Sequence, residues 1–168
     1  GLAIAYNAWL YYEATGDLDW LSGHGSDLII GITRLFDSLA EYDEADGRYH
    51  ISGVMGPDEY HDGPRGQHGG GLKDNAYTNV LAAWLFRHSA HIFQDMVEHQ
   101  REELSARFGV TAEEAEHWHE VSQKLAVPFN SDGTISQYDG YDSLDELDWD
   151  FYRGKYRNIG RLDLLLEN

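Results

Sequence analysis

The sequence predicts a mainly α-helical chain in which helices alternate with long loops, with room for one short hairpin. Three observations carry this. Leu28, Ile29, Ile32, Leu35, Phe36 and Leu39 recur at helical period. Thr111, with Glu114 three places on, has the form of a capping box. Glycine gathers in the connections, five of the chain's 18 falling within residues 62–74. A toroid of paired helices and a plain helical bundle read the same way at this level.

Taken in order, residues 2–14 (LAIAYNAWLYYEA) are apolar almost all round, which predicts a helix buried on several sides and stopped by Gly16. Asp17 can cap a short turn through Leu18 and Trp20. Ser26 or Asp27 then opens the helix with the stripe given above, and Gly31 inside it suggests a close helix contact. Asp46-Gly47 is a turn signal, and Arg48 to Val54 alternates enough for a short strand. Asp74 or Asn75 caps the next helix, which should turn Ala76, Val80, Ala83, Trp84 and Phe93 toward a core. Thr111 caps another, with Ala115, Trp118, Val121 and Leu125 as its buried stripe. Pro128 ends the helices, and an irregular, aromatic-rich stretch runs to about Arg157. The uncapped first helix and the apolar LDLLLEN at the end suggest a piece of a longer protein.

Composition narrows the partners. The 168 residues are enough for one domain with a real core. There are 12 Lys plus Arg against 30 Asp plus Glu, a net charge of −18, which opposes binding to nucleic acid or anionic membranes. No apolar run is long enough to span a membrane. A cytoplasmic location is expected on no more than the absence of a signal-peptide pattern, which carries little weight in a chain that opens on Gly1. There is no cysteine, so disulfides and thiolate metal sites are excluded. His88, His91 and Asp95 share a helix face, but no recognised ligand motif accompanies them and no metal or cofactor is expected. Five Trp and eleven Tyr suit sugar stacking and an aromatic core alike.

The stretch most suggestive of chemistry is Gly53-Val54-Met55-Gly56-Pro57-Asp58-Glu59-Tyr60-His61, followed after the glycine run by Asn75-Ala76-Tyr77-Thr78-Asn79. Gly56 and Pro57 break regular structure, so Asp58, Glu59 and His61 belong to a loop, where functional groups concentrate. Three titratable groups within four positions can shift one another's proton affinity. A solvated acidic turn would carry the same residues.

GVMGPDEYH, then NAYTN opening a helix, resembles the catalytic segment of glycoside hydrolase family 65, the maltose, trehalose and kojibiose phosphorylases and their hydrolytic relatives. SQYDGY from Ser136 and the closing KYRNIGRLDLLLEN read like the same family. The resemblance implies that residues 1–168 are a single fragment of an (α/α)6 barrel catalytic domain, with the general-acid loop at 53–75. It implies that Glu59 is the general acid, and Asp58, His61 and Asn75 are candidate substrate contacts. The implied reaction is inverting phosphorolysis of an α-linked glucose disaccharide, with inorganic phosphate as co-substrate.

Glycosidic cleavage needs a proton on the leaving oxygen and a nucleophile at the anomeric carbon. Burial and the Asp58 charge would keep Glu59 protonated, and a protonated His61 would oppose that. A hydrolase needs a second carboxylate, about 6.5–9.5 Å from the first, to activate water. Asp58, Asp139, Asp142 and Glu146 are the candidates for it. A phosphorylase does not, because phosphate is already an anion. Arg153, Lys155, Arg157 and Arg161 suit phosphate oxygens, but equally balance an acidic neighbourhood. The alternatives are therefore an inverting α-glucoside hydrolase and a non-catalytic helical carbohydrate-binding or scaffold module. The fragment alone is expected to be inactive and to form homo-oligomers through exposed core-facing surface.

Overall fold

The computed structural model describes residues 1–57, 62–63, 69–95, 97–156 and 158–160. The described residues are mainly helical, with one two-stranded antiparallel sheet among them. Helix α1 (Leu2–Thr15) ends where Gly16 turns left-handed (φ 65°). Asp17 caps α2 (Leu18–Trp20), accepting the Trp20 N–H at 2.9 Å. A π-helical turn, Leu21–Gly25, leads without a break into α3 (Ser26–Asp37). Ser26 therefore caps nothing; its hydroxyl donates back to the Leu21 carbonyl.

The buried face of α3 is also rotated from the expected stripe. It carries Ser26, Ile29, Ile30 and Thr33, while Leu28, Leu35 and Leu39 are exposed. Two polar side chains can lie inside because both are bonded: the Thr33 hydroxyl donates to the Ile29 carbonyl and meets Ser89 Oγ at 2.6 Å. A Cβ on Gly31 would meet nothing within 4 Å, so that glycine marks no close contact.

Strands β1 (Ala40–Asp43) and β2 (Arg48–Ile51) form a hairpin in the register Ala40 to Ile51 and Asp43 to Arg48. The expected strand thus ends at Ile51, and β1 is its partner. Helix α4 (Ala76–Asp95), 20 residues and about 30 Å long, is the spine of the core. It packs most extensively on α6 (Ala112–Lys124) and also touches α3 and α1. Its buried residues include Asn79, Ala82, Leu85, Phe86, Ser89 and Ala90; Val80 is exposed. Between them α5 (Glu98–Phe108), not foreseen from the sequence, is almost wholly polar and buries only Leu104.

In α6 the expected stripe of Ala115, Trp118, Val121 and Leu125 is buried, and Trp118 has no exposed surface. Thr111 caps α6 by accepting the Glu114 N–H at 3.2 Å, but the Glu114 carboxylate does not return the bond. It is held instead by a two-pronged contact from Arg34 of α3, at 2.7 and 2.8 Å. Helices do not end at Pro128, since α7 (Trp149–Lys155), capped by Asp148, follows the irregular stretch. Helix α1 is buried on one side only, through Leu2, Ala5 and Ala8, leaving Ile4, Tyr6, Leu10 and Tyr11 exposed.

Candidate functional site

Asp58, Glu59 and His61 lie outside the described residues; Asn75 and both roots of the loop lie within them. The roots are tied together. Val54 and Leu72 exchange backbone hydrogen bonds, the Leu72 N–H donating at 2.7 Å, and the Gly71 N–H donates to the Asp62 carbonyl at 2.8 Å. Here two glycines are required. Both have positive φ, and a Cβ on Gly71 would fall 2.3 Å from the Gly53 carbonyl carbon.

One residue further in, the Asp74 N–H donates to the carbonyl of Ile51, the last residue of β2. The Asp74 side chain completes the tie. Its Oδ1 accepts from Ile51 N at 3.2 Å and Asn79 Nδ2 at 3.1 Å, and its Oδ2 meets His50 Nδ1 at 2.6 Å. His50 Nε2 in turn faces Asp46 at 3.1 Å. Burial of the ring lowers the His50 pKa, but the hydrogen bonds to Asp74 and Asp46 outweigh it and hold it above the ordinary 6.5.

Asn75 is the N-cap of α4. Its Oδ1 accepts from Thr78 N at 3.1 Å and Thr78 Oγ1 at 3.2 Å, and its Nδ2 donates to the Gln137 carbonyl at 3.2 Å. It is 1% exposed, and this use of its amide is what the sequence reading of a cap anticipates. The Ala76 N–H also donates to Gln137 O, and the Asp139 N–H to Lys73 O. The SQYDGY stretch is thereby fastened alongside the start of α4, a proximity invisible to sequence spacing. Pro57, Asn75, Ala76, Tyr77, Ile135, Ser136 and Gln137 enclose an open cleft of about 220 Å³. Tyr77 and Ile135, both about half exposed, offer it apolar faces. A cleft of this kind can take a small polar ligand with aliphatic faces.

Other candidates fall elsewhere. Asp139, with Lys73 Nζ at 3.8 Å, is more than half exposed, and Asp142 and Glu146 are exposed. The His88 Nδ1 bonds the Trp84 carbonyl at 2.8 Å, and the Asp95 side chain lies outside the described residues. Among the described residues Asp43, Asp46 and His50 bring ligand atoms within 4.8 Å of one another. Asp43 and Asp46 already accept the N–H groups of Ala45 and Arg48, as turn residues do. Arg153 lies over the Trp149 ring and Lys155 over Phe151 and Tyr156; Arg157 and Arg161 lie outside the described residues. No helix among the described residues is long and apolar enough to cross a membrane.

The described residues thus form a mainly helical fold in which a hairpin is tied to the start of α4 beside an open cleft. Residues 1–168 match the model of the glycosyl hydrolase family 65 central catalytic domain, and the chain belongs to that family. It is 46% identical over 167 residues to an uncharacterized glycosyl hydrolase of Mycobacterium tuberculosis, covering 99% of this chain and 12% of the relative. It is 41% identical over 167 residues to the trehalose 6-phosphate phosphorylase of Lactococcus lactis, covering 99% and 20%. To the kojibiose phosphorylase of Caldanaerobacter subterraneus it is 33% identical over 142 residues, covering 82% and 17%. Among solved structures, a human-microbiome protein assigned as a kojibiose phosphorylase superposes with a TM-score of 0.73 at 19% identity, covering 89% of this chain and 21% of the other. That likeness shows the fold. The chain spans about an eighth to a fifth of the length of these relatives.

Proposed function

We propose that the full-length protein containing this segment is an inverting phosphorylase of α-linked glucose disaccharides, with the acid loop supplied by residues 53–75. The observation that carries the reading is the family match across residues 1–168, joined by relatives named as phosphorylases. Helices α1, α3, α4 and α6, which pack on one another, would form part of an (α/α)6 toroid. Glu59 protonates the glycosidic oxygen as the C1–O bond breaks, and a phosphate oxygen attacks C1 from the opposite face. The products are β-glucose 1-phosphate and the released sugar. Asp58 and His61 are candidate contacts to the disaccharide. Asn75 shapes the cleft wall, since its amide is already engaged by Thr78 and Gln137. The chemistry calls on no cofactor beyond phosphate as co-substrate.

One observation favours a second reading: the 46% identical relative is named a glycosyl hydrolase. Water would then replace phosphate, and a base would be needed. The full-length protein, offered maltose, trehalose, kojibiose and trehalose 6-phosphate with and without inorganic phosphate, decides between the two. Phosphate-dependent glucose 1-phosphate is expected; free glucose formed without phosphate would mean hydrolysis. Glu59→Gln should lower turnover about 10²–10⁴-fold. Unchanged turnover in that variant would leave the scaffold reading.

A further inference from the structure

We infer that Asp74 is a positioning residue for the acid chemistry, holding the two roots of the acid loop at a set distance from each other and from the start of α4. The inference rests on the reading of Glu59 as the acid. Asp74 is 4% exposed and is the one non-glycine residue with positive φ among those described, at 50°. A residue held there against its own preference must be fixed by its surroundings, and such outliers gather at functional sites. What fixes it is its carboxylate. Among the described residues its two oxygens take three donors from three places: Ile51 N at the end of β2, Asn79 Nδ2 on α4, and His50 Nδ1.

The geometry explains why an acid stands here. Asparagine tolerates the same backbone conformation and can cap a helix. Its amide nitrogen, however, would replace one acceptor with a donor, facing either His50 Nδ1 or the pair formed by Ile51 N and Asn79 Nδ2. The residue before the cap thus carries a feature that capping does not require. Asn79 extends the tie, since its Nδ2 also donates to the Ala126 carbonyl just beyond α6 at 2.7 Å. His50 extends it the other way, to Asp46 in the hairpin turn. The site is thereby anchored to the hairpin and to the helical core at once, and Asp74 is not among the residues that line the cleft.

Substrates with different leaving groups separate positioning from mere support. A disaccharide needs a proton on its leaving oxygen, whereas α-glucosyl fluoride releases fluoride with the bonding pair and needs none. In the full-length protein, Asp74→Asn should lower kcat on the disaccharide the wild type turns over by about 10–100-fold, a part of the general-acid contribution. KM should change little, and fluoride release from α-glucosyl fluoride should stay within about threefold of wild type, because it bypasses the acid. His50→Gln, which keeps the carboxylate, should show the same pattern more weakly, and decides the matter if Asp74→Asn does not fold. Equal loss on both substrates, or no loss, overturns the inference. Glu59→Gln run alongside locates the failure. Selective loss there without it in the Asp74 and His50 variants defeats only the positioning role; no selective loss at Glu59 defeats the acid assignment and this inference with it.

Discussion

At the scale of single residues, the histidines show how one side chain type takes opposite roles in one small domain. His50 sits between two carboxylates, and its pKa is raised. Its contribution to stability is therefore complete below the unfolded value of about 6.5 and is lost as pH rises through the folded value. His88 is packed against Trp9 and Trp84, and burial, the largest cause, pushes its pKa down. Its contribution is present above about 6.5 and is lost as pH falls through the lowered value. The histidine contribution should therefore peak near 6.5. NMR titration of the two imidazoles should give midpoints on opposite sides of 6.5, and His50→Gln should flatten the loss of stability on the alkaline side. A His50 midpoint below that of His88 would contradict the hydrogen bonds described. Glu59→Gln and Asp74→Asn belong to the same scale, and each changes a single hydrogen-bonding atom.

At the scale of elements, two glycines that look alike in sequence differ in kind. Gly31 lies exposed within α3, with open space where a Cβ would stand. Gly31→Ala should stabilise the protein by about 1 kcal/mol, from helix propensity alone. Gly71 closes the loop base against Gly53 in a backbone conformation that alanine resists. Gly71→Ala should destabilise it by more than about 1 kcal/mol, since both space and φ are wrong. Chemical denaturation midpoints of the two variants should therefore move in opposite directions. The elements also explain the missed helix: α5 has no side-chain cap, and Leu104 is its one buried residue, so neither a start signal nor an apolar stripe announces it. Tertiary contact and the left-handed Gly109 that ends it do the work instead.

At the scale of the molecule, the outer face of α1 stands out. Ile4, Tyr6, Leu10 and Tyr11 are each at least 40% exposed and lie on one helix. The two relatives most similar among those described above are about five and eight times longer than this segment, and such a face fits coverage by neighbouring helices. The 168-residue segment alone should therefore self-associate in light scattering. Ile4→Glu should shift it toward monomer, and the same change in the full-length protein should lower the melting temperature. A segment that stays monomeric at high concentration, with a full-length protein indifferent to Ile4→Glu, would show that this face meets solvent in both.

Local rules settled what depends on a few consecutive residues. The caps at Asp17, Asn75 and Thr111, the stop at Gly16 and the buried stripe of α6 were legible because each follows from side-chain chemistry or periodicity within one turn or two. The motif around Glu59 was enough to name a family that the whole chain then matched. Tertiary structure decided the rest. Which face of α3 is buried depends on Ser89 and Arg34's partner Glu114, which lie 56 and 80 residues from the groups they meet. The tie of Asp74 to His50 and Ile51, and of Gln137 to Asn75, joins residues 23 to 62 positions apart. No periodicity encodes such contacts. They arise because buried polar groups must find partners wherever packing brings them, and here that requirement ties the hairpin and the 135–139 stretch to the start of α4.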